Sequence, residues 1–347
     1  MFIRNQWYVA AWDGEVGRKP LARTLLGEPV VMYRKIDGQI VALADACPHR
    51  MLPLSMGMIE GDDLRCRYHG VKFNGAGQCI EMPGTAQKLE FMKARTYPVV
   101  ERYRFVWIWI GDADKADPAL LPDLWPCEKD GWAFEGGAYF IKANYKLMID
   151  NLMDLTHETH VHPGSIGQAE IMEAPLEVTA QGDRILVKRW MPAVENPPFW
   201  QMNSGLHGKV DRWQICEFMA PGAVIIDVGV APVGVVGGID GERTKGANGF
   251  VVDLMTPSGE NTCWYFWGLA RNFKIDDVGF GQRVKTAQGK VFMEDVEILE
   301  AQQASIDALP GQRLRSFDID GGGVRARAVL DRMEKAQAKA ETAAAAE

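Results

Sequence analysis

Hydrophobic and polar positions follow two regimes along the chain. Up to about residue 110, short apolar runs alternate with turn residues: Val30-Val31-Met32-Tyr33, Gln39-Ile40-Val41-Ala42-Leu43 and Phe105-Val106-Trp107-Ile108-Trp109-Ile110. Runs of this length, rich in β-branched and aromatic residues, predict strands. Gly111 to Cys127 then carries Pro118, Pro122 and Pro126 among four aspartates, the composition of a connector. Beyond it the period changes. Tyr145 to Ile149 and the following Asp150 to His162 read as a helix, several strands fall between about 175 and 272, and Arg283 to Leu309 reads as a long helix. Its apolar stripe runs through Val284, Ala287, Val291 and Ile298, with Asp295 inside it and Glu294, Glu297 and Glu300 off its centre. From Val324 the pattern is helical, then Ala-rich, and the end at Ala343 to Glu347 is expected to be disordered. The order predicts an α+β protein, an all-β unit followed by an antiparallel sheet gripping long helices, with boundaries at 1–112, 113–130, 131–323 and 324–347.

The first candidate chemistry lies in the all-β part. Cys47-Pro48-His49 and Cys66-Arg67-Tyr68-His69 each pair one cysteine with one histidine, with sixteen residues between His49 and Cys66. Two thiolates and two imidazoles suit tetrahedral zinc, or a [2Fe–2S] cluster with cysteines on one iron and histidines on the other. Zinc fingers group cysteine with cysteine and histidine with histidine. Here each loop supplies one of each, as a two-iron site with split ligands requires. Imidazoles in place of two thiolates raise the potential of such a cluster, so it passes electrons to a more oxidising acceptor.

A candidate acceptor follows. The segment Asp150 to His162 holds three of the six histidines, His157, His160 and His162. Asn151, Asp154 and His157 recur at i, i+3 and i+6, which keeps them on one helix face. Two histidines and one carboxylate are the ligand set of non-heme oxygenase iron, which leaves positions open for dioxygen and substrate. An unbroken helix favours His157 with His160. His157 and His162 stand about 140° apart on an ideal helix, but Pro163 biases His162 away from helical geometry and can swing it back. Both pairs remain open on spacing. Asp295 is the candidate carboxylate, because an ionised acid on a buried stripe is costly unless paired or metal-bound.

Composition narrows the classes. A length of 347 residues suits two domains. No stretch reaches the ~18 uncharged apolar residues of a membrane span, and Met1-Phe2-Ile3-Arg4-Asn5 lacks a signal-peptide pattern, so a cytoplasmic protein is expected. Cys79, Cys127, Cys216 and Cys263 have no ligand spacing and read as small buried apolar residues. A net charge of −8 argues against nucleic acid. No Gly-rich nucleotide fingerprint follows a predicted strand, so a separate reductase is needed to take hydride from NAD(P)H. Arg189, Arg212 and Asp253 lie in or beside pocket-forming strands, on faces that spacing does not fix.

Cys47-Pro48-His49-Arg50, Cys66-Arg67-Tyr68-His69-Gly70 and Asp150 to His162 resemble the Rieske non-heme iron oxygenases of the vanillate O-demethylase group. So do Asn5-Gln6-Trp7-Tyr8-Val9-Ala10, Asp211-Arg212-Trp213-Gln214-Ile215-Cys216, Trp264-Tyr265-Phe266-Trp267-Gly268 and Glu294-Asp295. The likeness runs over nearly the whole chain. It implies a Rieske iron–sulfur domain at 1–112, a helix-grip catalytic domain at 131–323, and an oxygenase that works as a homotrimer with a separate reductase. By position it implies that Cys47, His49, Cys66 and His69 hold the [2Fe–2S] cluster, and that His157, His162 and Asp295 hold mononuclear Fe(II), with Asn151 near it. Asp154 matches the acid that bridges His69 of one subunit to His157 of the next. The implied reaction is O-demethylation of a methoxybenzoate to a phenol and formaldehyde, with O2 as cosubstrate. Hydroxylation of an aryl methyl group competes with it, and so, outside the oxygenases, do a Rieske electron-transfer protein and a zinc-stabilised binding module. His160 departs from the family pattern, in which an aromatic is common, and is expected to line the site.

Overall fold

The computed structural model describes residues 1–84, 90–164 and 166–344. It divides into two compact units, one comprising Phe2–Leu121 with Thr256–Glu260, the other Met1, Pro122–Met255 and Asn261–Glu347. No sequence signal marks Thr256–Glu260 as part of the first unit. The Thr256 hydroxyl donates to the carbonyl of Val9 at 2.7 Å, and the amides of Leu26 and Gly27 donate to the carbonyls of Pro257 and Ser258.

The first unit is built from three small antiparallel sheets. Strands β1 (Gln6–Trp12), β10 (Phe105–Ile110) and β9 (Val99–Arg102) form one. Strands β2 (Leu21–Leu25), β3 (Glu28–Arg34) and β4 (Ile40–Ala44) form the second, and β5 (Met58–Glu60), β6 (Asp63–Arg65), β7 (Lys72–Phe73) and β8 (Cys79–Glu81) the third. Every residue of β10 is buried, as its unbroken apolar run requires. A core of Val31, Tyr33, Leu43, Leu54, Leu64, Val71 and Phe73 packs directly against Cys47 and Cys66. The two cysteine–histidine loops therefore stand on hydrophobic support.

The second unit is a seven-stranded antiparallel sheet. Strands β12 (Leu176–Gln181), β13 (Arg184–Glu195), β14 (Lys209–Met219), β15 (Ala223–Pro232), β16 (Ala247–Gly259) and β17 (Thr262–Arg271) run as a meander in chain order, and β11 (Ala133–Ile141) pairs with β17 at the end. Helix α5 (Val278–Ala308) is capped by Asp277, whose carboxylate accepts from the Phe280 amide at 2.7 Å. The Tyr139 hydroxyl donates to the carbonyl of Gly289, and the Gln303 side chain accepts from the Asn144 amide, so α5 is tied to both ends of the segment from β11 to helix α1 (Tyr145–Leu152). Its buried face carries Val284, Gln288, Val291, Phe292, Asp295, Val296 and Leu299. Ala287 and Ile298, expected in that stripe, are exposed. The helix is rotated toward Gln288 and Phe292, with i, i+4, i+7 and i+11 inward.

The short helices α2 (Glu158–Val161), α3 (Glu170–Glu173) and α4 (Pro198–Ser204) lie between longer elements, and α6 (Gly321–Ala344) ends the chain's described part. Asp150 on α1 holds Arg327 of α6 in a bidentate pair. The expectation of disorder rests partly on residues 345–347, which lie outside the described residues. No described helix is long and apolar enough to cross a membrane.

Candidate metal centres and the cavity beside them

The two cysteine–histidine loops share one backbone design. In the first, the Cys47 amide donates to the Leu52 carbonyl and the Met51 amide to the Cys47 carbonyl. In the second, Cys66 and Val71, then Gly70 and Cys66, repeat that pattern. The fifth residue of each turn has positive φ, 59° at Met51 and 74° at Gly70. A Cβ at Gly70 would also sit 2.9 Å from Pro83, so glycine is needed there twice over. Cys47 and Cys66 are buried, His49 is half-buried and His69 is exposed, with the imidazole centroids 4.5 Å apart. Burial pushes the Cys47 thiol up, and the neighbouring Cys66 adds to the shift. A positive ion or cluster is what such a pair of thiols needs to ionise. His49 Nδ1 is buried with no hydrogen-bond partner, as a ligand atom would be.

Among the described residues, a single tight group of three potential ligands occurs, and it is His157, His162 and Asp295, whose ligand atoms lie within 4.8 Å of one another. The four residues of the two loops do not converge in that way. A single tetrahedral ion would demand it, whereas a two-iron cluster spreads its ligands.

The helix expected over Asp150 to His162 is broken, and the break builds the triad. Helix α1 ends at Leu152. Asp154 then caps a new 3₁₀ turn, its Oδ1 accepting from the Thr156 amide at 2.9 Å. His162 leaves helical geometry at φ −119°, ψ 45°, immediately before Pro163. His157 Nε2 and His162 Nε2 thereby reach Asp295 Oδ1, at 3.4 and 3.1 Å. Gly167 lets the following loop close over α2, since a Cβ there would meet the Glu158 carbonyl at 2.4 Å. His160 faces solvent on α2 and is absent from the cavity wall, contrary to expectation. Its neighbours at i−3 and i+2 take the inward positions once the helix breaks on both sides.

Each imidazole is oriented from behind. The Asp154 carbonyl lies 2.6 Å from His157 Nδ1, and Glu294 Oε2 lies 2.6 Å from His162 Nδ1. With those nitrogens donating, both Nε2 atoms are left as lone-pair ligands. The link from Asp154 to His157 thus runs through the main chain, and the carboxylate serves the turn. Asn151 Nδ2 donates to Asp295 Oδ1 at 3.3 Å, while its buried Oδ1 has no hydrogen-bond partner. Asp295 is 3% exposed. Burial raises its pKa, yet the two histidines outweigh that and hold it below the ordinary carboxylate range. Burial lowers both imidazoles, and Asp295 outweighs it and holds them above the ordinary histidine value. The set is poised to exchange protons for a divalent cation.

The triad forms part of the wall of a cavity. Leu152, Leu155, Phe199, Trp200, Val251 and Phe292 give it apolar sides, and Glu158, Arg212, Gln214 and Gln288 are its polar lining apart from the triad. Arg212 is on the cavity face of β14, Arg189 is buried behind it, and Asp253 is fully buried beneath α5 against Tyr265. Glu158, Gln214, Gln288 and Glu294 were not singled out as site residues from sequence. For Glu158 a signal existed, an acid inside the histidine cluster.

A family profile described as the Vanillate O-demethylase oxygenase C-terminal domain matches residues 141–336, and the Rieske [2Fe-2S] domain profile matches residues 6–102. The chain belongs to the Rieske non-heme iron oxygenases of the vanillate O-demethylase group. This oxygenase is 44% identical to the vanillate O-demethylase oxygenase subunit of Pseudomonas sp. strain HR199, over 99% of its own length and 98% of the relative's. It is 38% identical to the toluene-4-sulfonate monooxygenase iron-sulfur subunit of Comamonas testosteroni, over 97% and 98%. The crystal structure of dicamba monooxygenase bound to dicamba is 33% identical and superposes with a TM-score of 0.90, over 97% and 99% of the two chains. The oxygenase is an enzyme, a monooxygenase whose cofactors are a Rieske [2Fe–2S] cluster and mononuclear non-heme iron, and it draws electrons from a separate reductase.

Proposed function

We propose that this oxygenase O-demethylates a vanillate-like methoxybenzoate, releasing the phenol and formaldehyde. The observation that carries the reading is the convergence of His157, His162 and Asp295 on the wall of a mostly apolar cavity. Cys47, His49, Cys66 and His69 would hold the cluster, and His157, His162 and Asp295 the mononuclear iron. When bound, the iron supplies dioxygen activation, with electrons relayed through the cluster.

The protein's own residues bind, orient and exclude water. Phe199, Trp200 and Phe292 offer faces to an aromatic ring. The Asp154 carbonyl and Glu294 fix the tautomers of His157 and His162, and Asn151 holds Asp295. Apolar side chains keep bulk water from the oxidised methyl group. Hydroxylation of that methyl by one oxygen atom gives a hemiacetal, which collapses to formaldehyde and phenol, while two electrons and two protons carry the other atom of O2 to water.

Exposed His69 lies against Tyr68, 61% exposed, and Met51 of the other loop is 71% exposed. Such a rim favours burial against another copy of the chain, in support of the homotrimer in which Asp154 of one subunit meets His69 of the next. A cytoplasmic location suits its use of an NAD(P)H-dependent reductase. Purified protein with a compatible reductase should release formaldehyde from 4-hydroxy-3-methoxybenzoate in step with O2 uptake. A benzylic alcohol from a methylbenzoate, with no formaldehyde from any methoxybenzoate, would overturn O-demethylation in favour of aryl-methyl hydroxylation.

A further inference from the structure

The two histidines of the triad are held in different ways. His162 takes its orientation from a side chain, Glu294, whereas His157 takes it from the carbonyl of Asp154. The His157 ring is therefore only as fixed as the main chain of its turn. That turn is three residues of 3₁₀ helix, Leu155–His157, a conformation with poor hydrogen-bond geometry of its own.

Arg189 of β13 is 4% exposed, and among the described residues no carboxylate pairs with it directly. Its Nε is buried with no hydrogen-bond partner, so the placement costs stability rather than adding it. Its Nη2 donates to Thr156 Oγ1, inside the turn, at 3.2 Å. Its Nη1 donates to Oε1 of Gln214, the residue opposite it on β14, also at 3.2 Å. Each acceptor leads on to an acid. The Thr156 amide donates to Asp154 Oδ1 at 2.9 Å, and Gln214 Nε2 donates to Glu158 Oε2 at 2.9 Å. Asp154 precedes His157 by three residues and Glu158 follows it by one. Thr156, Gln214 and Glu158 are all buried.

We infer that Arg189 is a positioning residue for the mononuclear iron: it clamps the turn on both sides of His157 through two neutral side chains, and so aims that imidazole at Asp295. The inference rests on His157 being an iron ligand. A planar guanidinium suits the task, because its donors point in fixed directions that an ammonium group does not hold. Thr156 and Gln214 are neutral, so the grip reaches the turn without an ion pair between Arg189 and Asp154. The Asp154 carboxylate then stays out of contact with the guanidinium, as its part in the proposed trimer requires.

The test titrates Fe(II), against a competing chelator, into anaerobic protein that carries its cluster but has been stripped of mononuclear iron. Arg189→Met should weaken that site by about 10- to 100-fold, the usual cost of losing a group that orients a ligand, with the Rieske signal unchanged. The nitric oxide adduct of the bound iron should also change its electron paramagnetic resonance line shape, which a loss of stability alone would not do. Thr156→Val removes one acceptor and keeps the guanidinium, so it should alter the same line shape and weaken iron binding less. The double variant should bind iron about as Arg189→Met does, because the second change cuts a bond already lost. Affinity within about two-fold of wild type and an unchanged line shape in Arg189→Met would overturn the inference. If that variant does not fold, the same result in Thr156→Val overturns it. His157→Ala tests the underlying assignment: retention of the iron would show that His157 is no ligand, whereas its loss there and retention in Arg189→Met would remove the clamp alone.

Discussion

Cys47 and His49 sit two residues apart, and a second loop of the same backbone design supplies Cys66 and His69, whereas His162 and Asp295 lie 133 residues apart and meet across a broken helix and a long one. The first set stands on a dry core with one imidazole at the surface. The second is closed into an apolar cavity. The contrast follows from what each must do. A group that passes electrons on needs an exposed edge, and local turns fix four ligands cheaply. Iron that handles dioxygen and substrate needs exclusion of water, and buried charge then has to be held by partners from several elements.

The sharpest way to break the comparison is to remove one ligand from each site. Cys66→Ser should abolish the Rieske signal in electron paramagnetic resonance and all turnover, while the mononuclear iron stays. His162→Ala should do the reverse, lowering iron from about three to two per chain with the cluster spectrum intact. His160→Ala should retain all the iron and keep turnover within about two-fold, because surface substitutions away from such features cost little. Iron loss in the His160 variant, with retention in the His162 variant, would reverse the ligand assignment.

The two sites also differ in how far sequence reveals them. Both cysteine–histidine loops are legible because their geometry is a turn, fixed within six residues. The triad's members are legible as residue types: a dense histidine cluster and an acid in an apolar stripe. Their pairing is not, because it depends on where α1 stops. Asp154 as a cap and Pro163 as a breaker are both visible, yet only the closed structure shows that His157 and His162 turn inward and His160 outward. Ala287 and Ile298 fit the stripe of α5 only by being apolar. The buried face instead includes Gln288 and Gln303, polar residues held by cavity and backbone contacts that no periodicity announces. Glu158 and Gln214 were missed for the same reason: a buried polar network is written in tertiary pairing.

A subtler change asks whether the sites communicate through Asp154. Asp154→Asn keeps the carbonyl that orients His157 and the side-chain oxygen that caps the turn. It removes the charge that, in the proposed trimer, would face a neighbouring subunit's His69. Both metal centres should remain, while single-turnover oxidation of the reduced cluster slows by about 10- to 100-fold. Unchanged transfer at saturating reductase would show that Asp154 serves only the turn.

The smallest expected effect lies beneath the triad and concerns stability. Asp253 is fully buried, accepts from the Tyr265 hydroxyl at 2.5 Å, and has an Oδ2 with no hydrogen-bond partner. Burial pushes its carboxyl up to about 8; the Tyr265 hydrogen bond opposes this and the Asp295 charge adds to it. In the unfolded chain the same group titrates near 3.9. Between those values the folded state holds a proton that the unfolded state has lost, so stability is complete below about pH 4 and drains away as pH rises toward 8. Bound iron offsets the Asp295 charge but leaves the larger cause, burial, in place. Asp253→Asn should therefore flatten the decline in Tm between pH 5 and 8.5 and leave the variant more stable at the alkaline end, by about 2–4 °C for each kcal/mol recovered. Thermal melts of the iron-loaded proteins across that range decide it. Parallel curves for wild type and variant would mean that the buried carboxyl is already ionised and that Tyr265 alone suffices to hold the charge.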